Sequence, residues 1–220
     1  MSDGPLRPAL VQIAEMFYRE SRNRVEFVFG TSPMIHEKIS SGEKADVLII
    51  QPNFIEELVR CGKLVTERHP VIARVGLGLM TRADAAAADI STIESFKETI
   101  LNAKSLIFNN VASGNYFAEV LERLGIGEAV KKKVVRAESS VVFQRILEGD
   151  RNDIGVATIP LINATKGLRL IGPLPVELQN YIIYVAALMT SATWPQAAAV
   201  FIDFLCGNAA KGAFSDHSIE

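Results

Sequence analysis

Small hydroxyl residues stand at two places where a strand-like run of residues gives way to a helix-like run. Thr31 and Ser32 follow the apolar run at residues 25–29, and Ser113 precedes Gly114 at the second break. The first N–H groups of a helix lack intrahelical acceptors, and the helix dipole favours negative charge beside them. The two breaks together predict an uncharged site for a small anion.

Other kinds of site find little support in the residue types and their spacing. There is no G-x-x-x-x-G-K phosphate loop and no G-x-S-x-G nucleophile elbow. His36, His69 and His217 have no partners at metal-ligand spacing, so neither a metal nor a cofactor is expected. Cys61 and Cys206 are too far apart in sequence to indicate a metal or redox pair, and a disulfide between them is left open.

Length and composition are those of an ordinary globular protein. The 220 residues are 49% hydrophobic and 22% charged, enough for one large domain or two small ones. The balance of 23 basic and 25 acidic residues predicts no binding of nucleic acid. No apolar stretch reaches the roughly 18–20 residues of a membrane span. We expect a cytoplasmic protein if Met1 is the true start, and a periplasmic one if a leader was removed upstream.

Helical and strand patterns alternate along the chain. Helices are predicted at residues 6–20, 33–40, 53–61, 93–102, 116–124, 141–147 and 196–205. Strands are predicted at residues 25–29, 47–50, 71–80, 105–108, 134–136, 154–157, 168–171 and 182–188. This alternation predicts an α/β fold with a mostly parallel sheet covered on both faces, in which ligands bind at the carboxyl ends of strands.

Several segments resemble a known family. The runs VEFVFGTSPMIHEKISSGEKADVLIIQ, ASGNYFAEVLERLGI and EGDRNDIGVA are similar to the molybdate-binding branch of the type 2 periplasmic-binding-protein fold, and the resemblance spans nearly the whole chain. It implies an α/β protein of two lobes with mixed sheets, joined by two crossing hinge strands. Residues 1–76 and 183–220 would form one lobe and residues 77–182 the other, with hinge closure around a ligand.

The resemblance also implies which residues contact that ligand between the lobes. In the first lobe these are Thr31 and Ser32. The residues implied in the second lobe are Ser113, Gly114, Ser140 and Thr158.

Three positions depart from the family pattern. Thr158 stands where the molybdate binders place a ligand-contacting tyrosine, so a phenolic donor is missing there. Pro5 stands where the molybdate binders have a serine, and it offers no N–H, so the preceding residues Ser2, Asp3 and Gly4 are the expected substitutes. Arg74 stands where the family has an uncharged residue, and a guanidinium favours a bidentate carboxylate over a bare tetrahedral oxyanion. A carboxylate-bearing anion is therefore expected ahead of molybdate.

Three functions fit this resemblance. The first is a monomeric solute-binding protein that passes a small anion to an ABC permease. The second is an enzyme similar to aconitate isomerase, in which arginine and helix starts hold the carboxylates of a tricarboxylate while a base moves a proton. The third is an effector-sensing domain of the LysR type, which the lack of a preceding helix-turn-helix disfavours.

Overall fold

The apolar stripe of the first helix is buried as its spacing predicts. In a computed structural model, which describes residues 1–220, this helix spans Arg7–Ser21. Its residues Leu10, Ile13 and Phe17 lie along one face and are almost fully buried. They recur three or four positions apart, so one side of the helix faces the core.

Strands and helices alternate over the rest of the chain. The strands are β1 (Ser2–Asp3), β2 (Phe29–Gly30), β3 (Val47–Ile50), β4 (Val71–Arg82), β5 (Ser105–Asn109), β6 (Val134–Ala137), β7 (Asp153–Thr158), β8 (Leu168–Pro173) and β9 (Tyr181–Leu188). The helices are α1 (Arg7–Ser21), α2 (Ser32–Ser40), α3 (Ile55–Arg60), α4 (Ile93–Asn102), α5 (Ala112–Arg123), α6 (Gly127–Val130), α7 (Ser139–Glu148), α8 (Ile159–Ala164), α9 (Pro195–Leu205) and α10 (Asn208–Asp216). The predicted α/β class is confirmed.

The chain divides into two compact units, and the first comprises Met1–Val75 and Ile183–Glu220. In this unit β1 pairs in parallel with both β2 and β3, so that Ser2 lies opposite Phe29 on one side and Ile49 on the other. On its far side β3 pairs antiparallel with β9. The carboxyl ends of β1, β2 and β3 therefore meet at one edge of the sheet, where α/β proteins bind ligands.

The second unit comprises Gly76–Ile182. Here β4 pairs antiparallel with β7 and β8, and β5 pairs in parallel with β6 and β7. Because Ile107 lies opposite Gly155, the end of β5 at Asn109 falls beside the end of β7 at Thr158. Two polar side chains thus stand at neighbouring strand ends.

Each unit has its own apolar core. In the first, β3 and β9 pack against α2 and α3 through residues such as Ile35, Leu48 and Leu58. In the second, β4 and β5 pack against α7 through residues such as Met80 and Ile146. Burial of each such side chain contributes roughly 1.5–3 kcal/mol to the stability of the folded state. These packed cores hold in place the strand ends that carry the polar residues.

Two predicted elements begin four residues away from the observed ones. The strand predicted at residues 25–29 is reduced to Phe29–Gly30, because β1 supplies a ladder partner only for those two residues. The helix predicted from residue 116 begins at Ala112, so Ser113 and Gly114 lie in its first turn.

Four further elements had not been predicted at all, namely β1, α6, α8 and α10. No single helix has the length and apolar composition of a membrane span. Together α9 and α10 have that length and composition, but the pair is bent by 62°.

Candidate functional site

The start of α2 is held by a carboxylate of the same chain. The Ser32 N–H donates to Asp3 Oδ2 at 3.0 Å, and the Ser32 hydroxyl donates to the same oxygen at 2.5 Å. The cap of this helix is Thr31, since Thr31 Oγ1 accepts from the Met34 N–H at 3.4 Å. Ser32 is therefore a donor, and its acceptor is Asp3.

The other predicted residues of this unit lie around Asp3. The Gly4 N–H donates to Asp3 Oδ1 at 2.8 Å, and the Ser2 hydroxyl donates to the backbone oxygen of Asp3 at 3.2 Å. From the end of β3, the Gln51 N–H donates to Ser32 Oγ at 3.2 Å. Residues that follow or end three parallel strands thus converge on one buried carboxylate, which is 5% exposed.

Burial dominates the electrostatics around Asp3. It raises the pKa of the Asp3 carboxyl, while hydrogen bonds from Ser32, Gln51 and Gly4 oppose the rise. The pKa of Tyr184, a fully buried residue of β9, is raised well above its usual range by burial and by the Asp3 charge. The first unit therefore holds a desolvated carboxylate with a phenol nearby.

In the second unit the side chain of Asn109 organises the start of α5. Its Oδ1 accepts from the N–H groups of Val111 and Gly114 at 3.2 and 3.0 Å, and its Nδ2 donates to Ser113 Oγ at 2.9 Å. A Cβ on Gly114 would lie 2.0 Å from the Asn109 carbonyl oxygen, so only glycine fits there. The first-turn N–H groups of Ala112 and Ser113 take no part in this network, and their position in the helix gives them no intrahelical acceptor.

Thr158 carries a buried hydroxyl without a partner. The residue is 4% exposed, stands at the end of β7, and its Oγ1 makes no hydrogen bond. It precedes α8 but does not cap it. Leaving a buried hydroxyl unpaired costs about 1–3 kcal/mol, so this atom needs an explanation.

Two predicted residues do not join either group. The Arg74 guanidinium is exposed and forms an ion pair with the Glu220 carboxylate at 2.7 Å. Ser140 is exposed in the first turn of α7. An exposed ion pair contributes only about 0–1 kcal/mol, and Arg74 already has an acidic partner within the first unit.

Two cavities lie away from these residues. One of about 570 Å³ is in the first unit, beside Phe201, Trp194 and residues 22–28. Another of about 490 Å³ is in the second unit, beside residues 86–89 and Asn152. None of the predicted site residues lines either cavity.

No group of three or more His, Cys, Asp or Glu residues is arranged to hold a metal ion. Cys61 and Cys206 are both free thiols.

Sequence reasoning missed the roles of Asp3 and Asn109. Asn109 had a local signal, because an asparagine that ends a strand four residues before Ser113 commonly hydrogen-bonds nearby backbone N–H groups. Asp3 had none, because its contact with Ser32 spans 29 residues and depends on the pairing of β1 with β2.

Comparison with known proteins agrees with this architecture. The chain is 21% identical over 226 residues to aconitate isomerase from a Pseudomonas species, covering 100% of this chain and 86% of that protein. Its fold is similar to the periplasmic molybdate-binding protein of Azotobacter vinelandii, with a TM-score of 0.81, 16% identity and coverage of 100% and 97% of the two chains. The sulfate-binding protein of Mycobacterium tuberculosis has a TM-score of 0.75, 15% identity and coverage of 99% and 84%.

These likenesses confirm the periplasmic-binding-protein fold that the sequence motifs indicated. The family described as bacterial extracellular solute-binding protein matches residues 1–219, nearly the whole chain. By that match, the chain belongs to the bacterial extracellular solute-binding protein family.

Proposed function

We propose that this protein binds a small anion, with a carboxylate-bearing anion ahead of a bare tetrahedral oxyanion, and delivers it to an ABC permease. The observation that carries the proposal is the unpartnered, buried hydroxyl of Thr158 beside the start of α5. A hydroxyl and the two first-turn N–H groups of Ala112 and Ser113 are neutral donors suited to an anion. Charge-assisted hydrogen bonds of this kind are about twice as strong as neutral ones.

The choice of a carboxylate rests on the comparison with known proteins, because the Asp3 carboxylate that engages the donors of Ser32 would repel a carboxylate and an oxyanion alike. Aconitate, named in the relative that matches the full length of this chain, is a tricarboxylate. The position of the ligand between the lobes stays a prediction of the family resemblance.

A thermal-shift screen tests the proposal. The protein is melted with sodium sulfate, sodium molybdate, malate, citrate or trans-aconitate, and with sodium chloride at matched ionic strength as the control. A ligand at one hundred times its Kd stabilises the folded state by about 2.7 kcal/mol. The expected result is a rise in Tm with a carboxylate, and no rise with any anion would contradict the proposal.

A second candidate, an isomerase acting on an unsaturated tricarboxylate, is favoured by the full-length match to aconitate isomerase. The reaction needs a base that removes a proton from carbon. The buried carboxylates are Asp3 and Asp153. Asp153 accepts from the Ser105 hydroxyl at 2.6 Å and from the Asp150 N–H at 2.7 Å. Either carboxylate would have to exchange such a bond for the substrate, which places isomerisation second.

The enzyme candidate has its own assay. The protein is incubated with trans-aconitate and the mixture is followed by proton NMR for the cis isomer, with heat-denatured protein as the control. Formation of the cis isomer that disappears in Asp3→Asn or in Asp153→Asn would favour catalysis and identify the base. No cis isomer above the control removes this candidate.

A further inference from the structure

The donors at the start of α2 can be accounted for one by one. The Ser32 N–H and hydroxyl both reach Asp3. Pro33 has no N–H, the Met34 N–H is capped by Thr31 Oγ1, and the Ile35 N–H donates to the Thr31 carbonyl. No donor of this first turn is left over for an external anion.

The carboxylate that fills this place is fixed by the sheet. Asp3 lies opposite Gly30 in the parallel pairing of β1 and β2, which brings its side chain to the start of α2. Its second oxygen accepts from Gly4, and Ser32 Oγ is held in turn by the Gln51 N–H. Three segments of the first unit therefore hold an acceptor where an anionic ligand would otherwise receive these hydrogen bonds.

We propose that Asp3 determines specificity in this protein by occupying the anion position at the start of α2 with its own carboxylate, so that bare oxyanions are excluded from Ser32. The inference deepens the proposed function and rests on it for the ligand class. It differs from a local cap, because Thr31 caps the Met34 N–H from the adjacent residue of the chain, whereas Asp3 reaches Ser32 from a separate strand. Loss of the carboxylate should therefore create an oxyanion site rather than only weaken the helix.

The test is a gain of binding, measured by calorimetric titration with sodium sulfate and sodium molybdate. Asp3→Ala empties the position, and we expect at least tenfold tighter binding of sulfate than in the unsubstituted chain. Asp3→Asn keeps an acceptor oxygen and a similar volume beside Ser32, so it should gain little. Asp216→Ala, which removes an exposed carboxylate from α10, controls for net charge and should match the unsubstituted chain.

Two results would overturn the inference. One is a folded Asp3→Ala protein, checked by circular dichroism, that binds sulfate no more tightly than the unsubstituted chain. The other is an equal gain in Asp3→Asn, because charge repulsion rather than occupation would then explain the exclusion.

A measurement on the unsubstituted protein keeps the inference testable even if Asp3→Ala does not fold. The Ser32 amide resonance is followed by NMR during a sulfate titration, and it should not move, since its hydrogen bond to Asp3 persists. A saturable shift of that resonance overturns the inference while leaving anion binding intact. A failed carboxylate screen combined with a sulfate gain in Asp3→Ala would instead remove the proposed function and leave the role of Asp3 standing.

Discussion

Replacing Thr158 with valine should stabilise the ligand-free protein and weaken ligand binding. The Thr158 hydroxyl is buried and makes no hydrogen bond, so a methyl group of similar size removes a desolvated polar atom at no cost in hydrogen bonds. We expect the free energy of unfolding to rise by about 1 kcal/mol, which corresponds to a Tm increase of about 2–4 °C for a chain of this length.

The same substitution at Thr81 provides the matched control. Thr81 is 3% exposed, lies on β4 in the same unit, and its hydroxyl donates to the carbonyl oxygens of Asp153 and Arg151 at 3.1 and 3.3 Å. Thr81→Val loses these bonds and leaves buried acceptors unpaired, so its unfolding free energy should fall by about 1–3 kcal/mol.

Urea unfolding followed by circular dichroism measures both variants, and calorimetry with the carboxylate found by the screen measures affinity. A hydrogen bond to a charged group contributes about 1.5–3 kcal/mol, so Thr158→Val should bind that ligand about 10- to 100-fold more weakly. Destabilisation of Thr158→Val to the same extent as Thr81→Val would refute the reasoning, since the hydroxyl would then be bonded in the free protein. Unchanged affinity would refute its role in binding.

Two further predictions concern the helix starts. Gly114→Ala places a Cβ 2.0 Å from the Asn109 carbonyl oxygen and should lower the free energy of unfolding by about 1–3 kcal/mol. The control Gly212→Ala, in α10, meets no atom within 4 Å and should raise the free energy of unfolding by about 0.5–1 kcal/mol. Thermal melts measure both variants, and equal effects would contradict the geometry. Burial raises the pKa of Asp3 above its unfolded value of 3.8, so the folded state binds the proton more tightly than the unfolded state does. Proton binding therefore stabilises the folded state below about pH 3.8, and this stabilisation is lost as the pH rises through the pKa of the folded state. The unfolding free energy of the unsubstituted protein, taken relative to Asp3→Asn, should therefore fall across that window in urea titrations, and a relative rise would contradict the assigned sign.

Elements with complete local signals could be predicted from the sequence. Thr92 caps α4 and its apolar residues Phe96 and Ile100 recur at helical spacing, so the predicted bounds of 93–102 agree with the observed helix. The continuous apolar run of β3 was likewise found in full. Local propensity and burial act in the same direction in both segments, and neither depends on a distant partner.

The errors occurred where a distant partner decides the structure. Residues 25–28 have an apolar composition typical of a strand, but a strand also needs a neighbour to pair with, and β1 reaches only Phe29 and Gly30. The start of α5 was placed too late because Ser113-Gly114 resembles a turn, whereas the side chain of Asn109 bonds the N–H of Gly114 and lets the helix begin earlier.

The candidate site was predictable in its hydroxyl residues and unpredictable in their partners. Ser32, Ser113 and Thr158 all stand at strand ends or in the first turns of helices, as the sequence indicated. Which group each of them meets depends on strand register and on contacts between distant segments. The Asp3–Ser32 and Arg74–Glu220 pairs join segments 29 and 146 positions apart, and no local pattern marks them.

The most direct measurement of the central claim is the melting temperature of the purified protein with each anion of the screen, compared with sodium chloride at the same ionic strength. We expect a concentration-dependent rise with a di- or tricarboxylate, of about 5–10 °C at one hundred times the Kd, and a smaller rise at the same concentration in Thr158→Val. An unchanged melting temperature with every carboxylate and oxyanion would contradict the claim that this chain is an anion-binding member of its family.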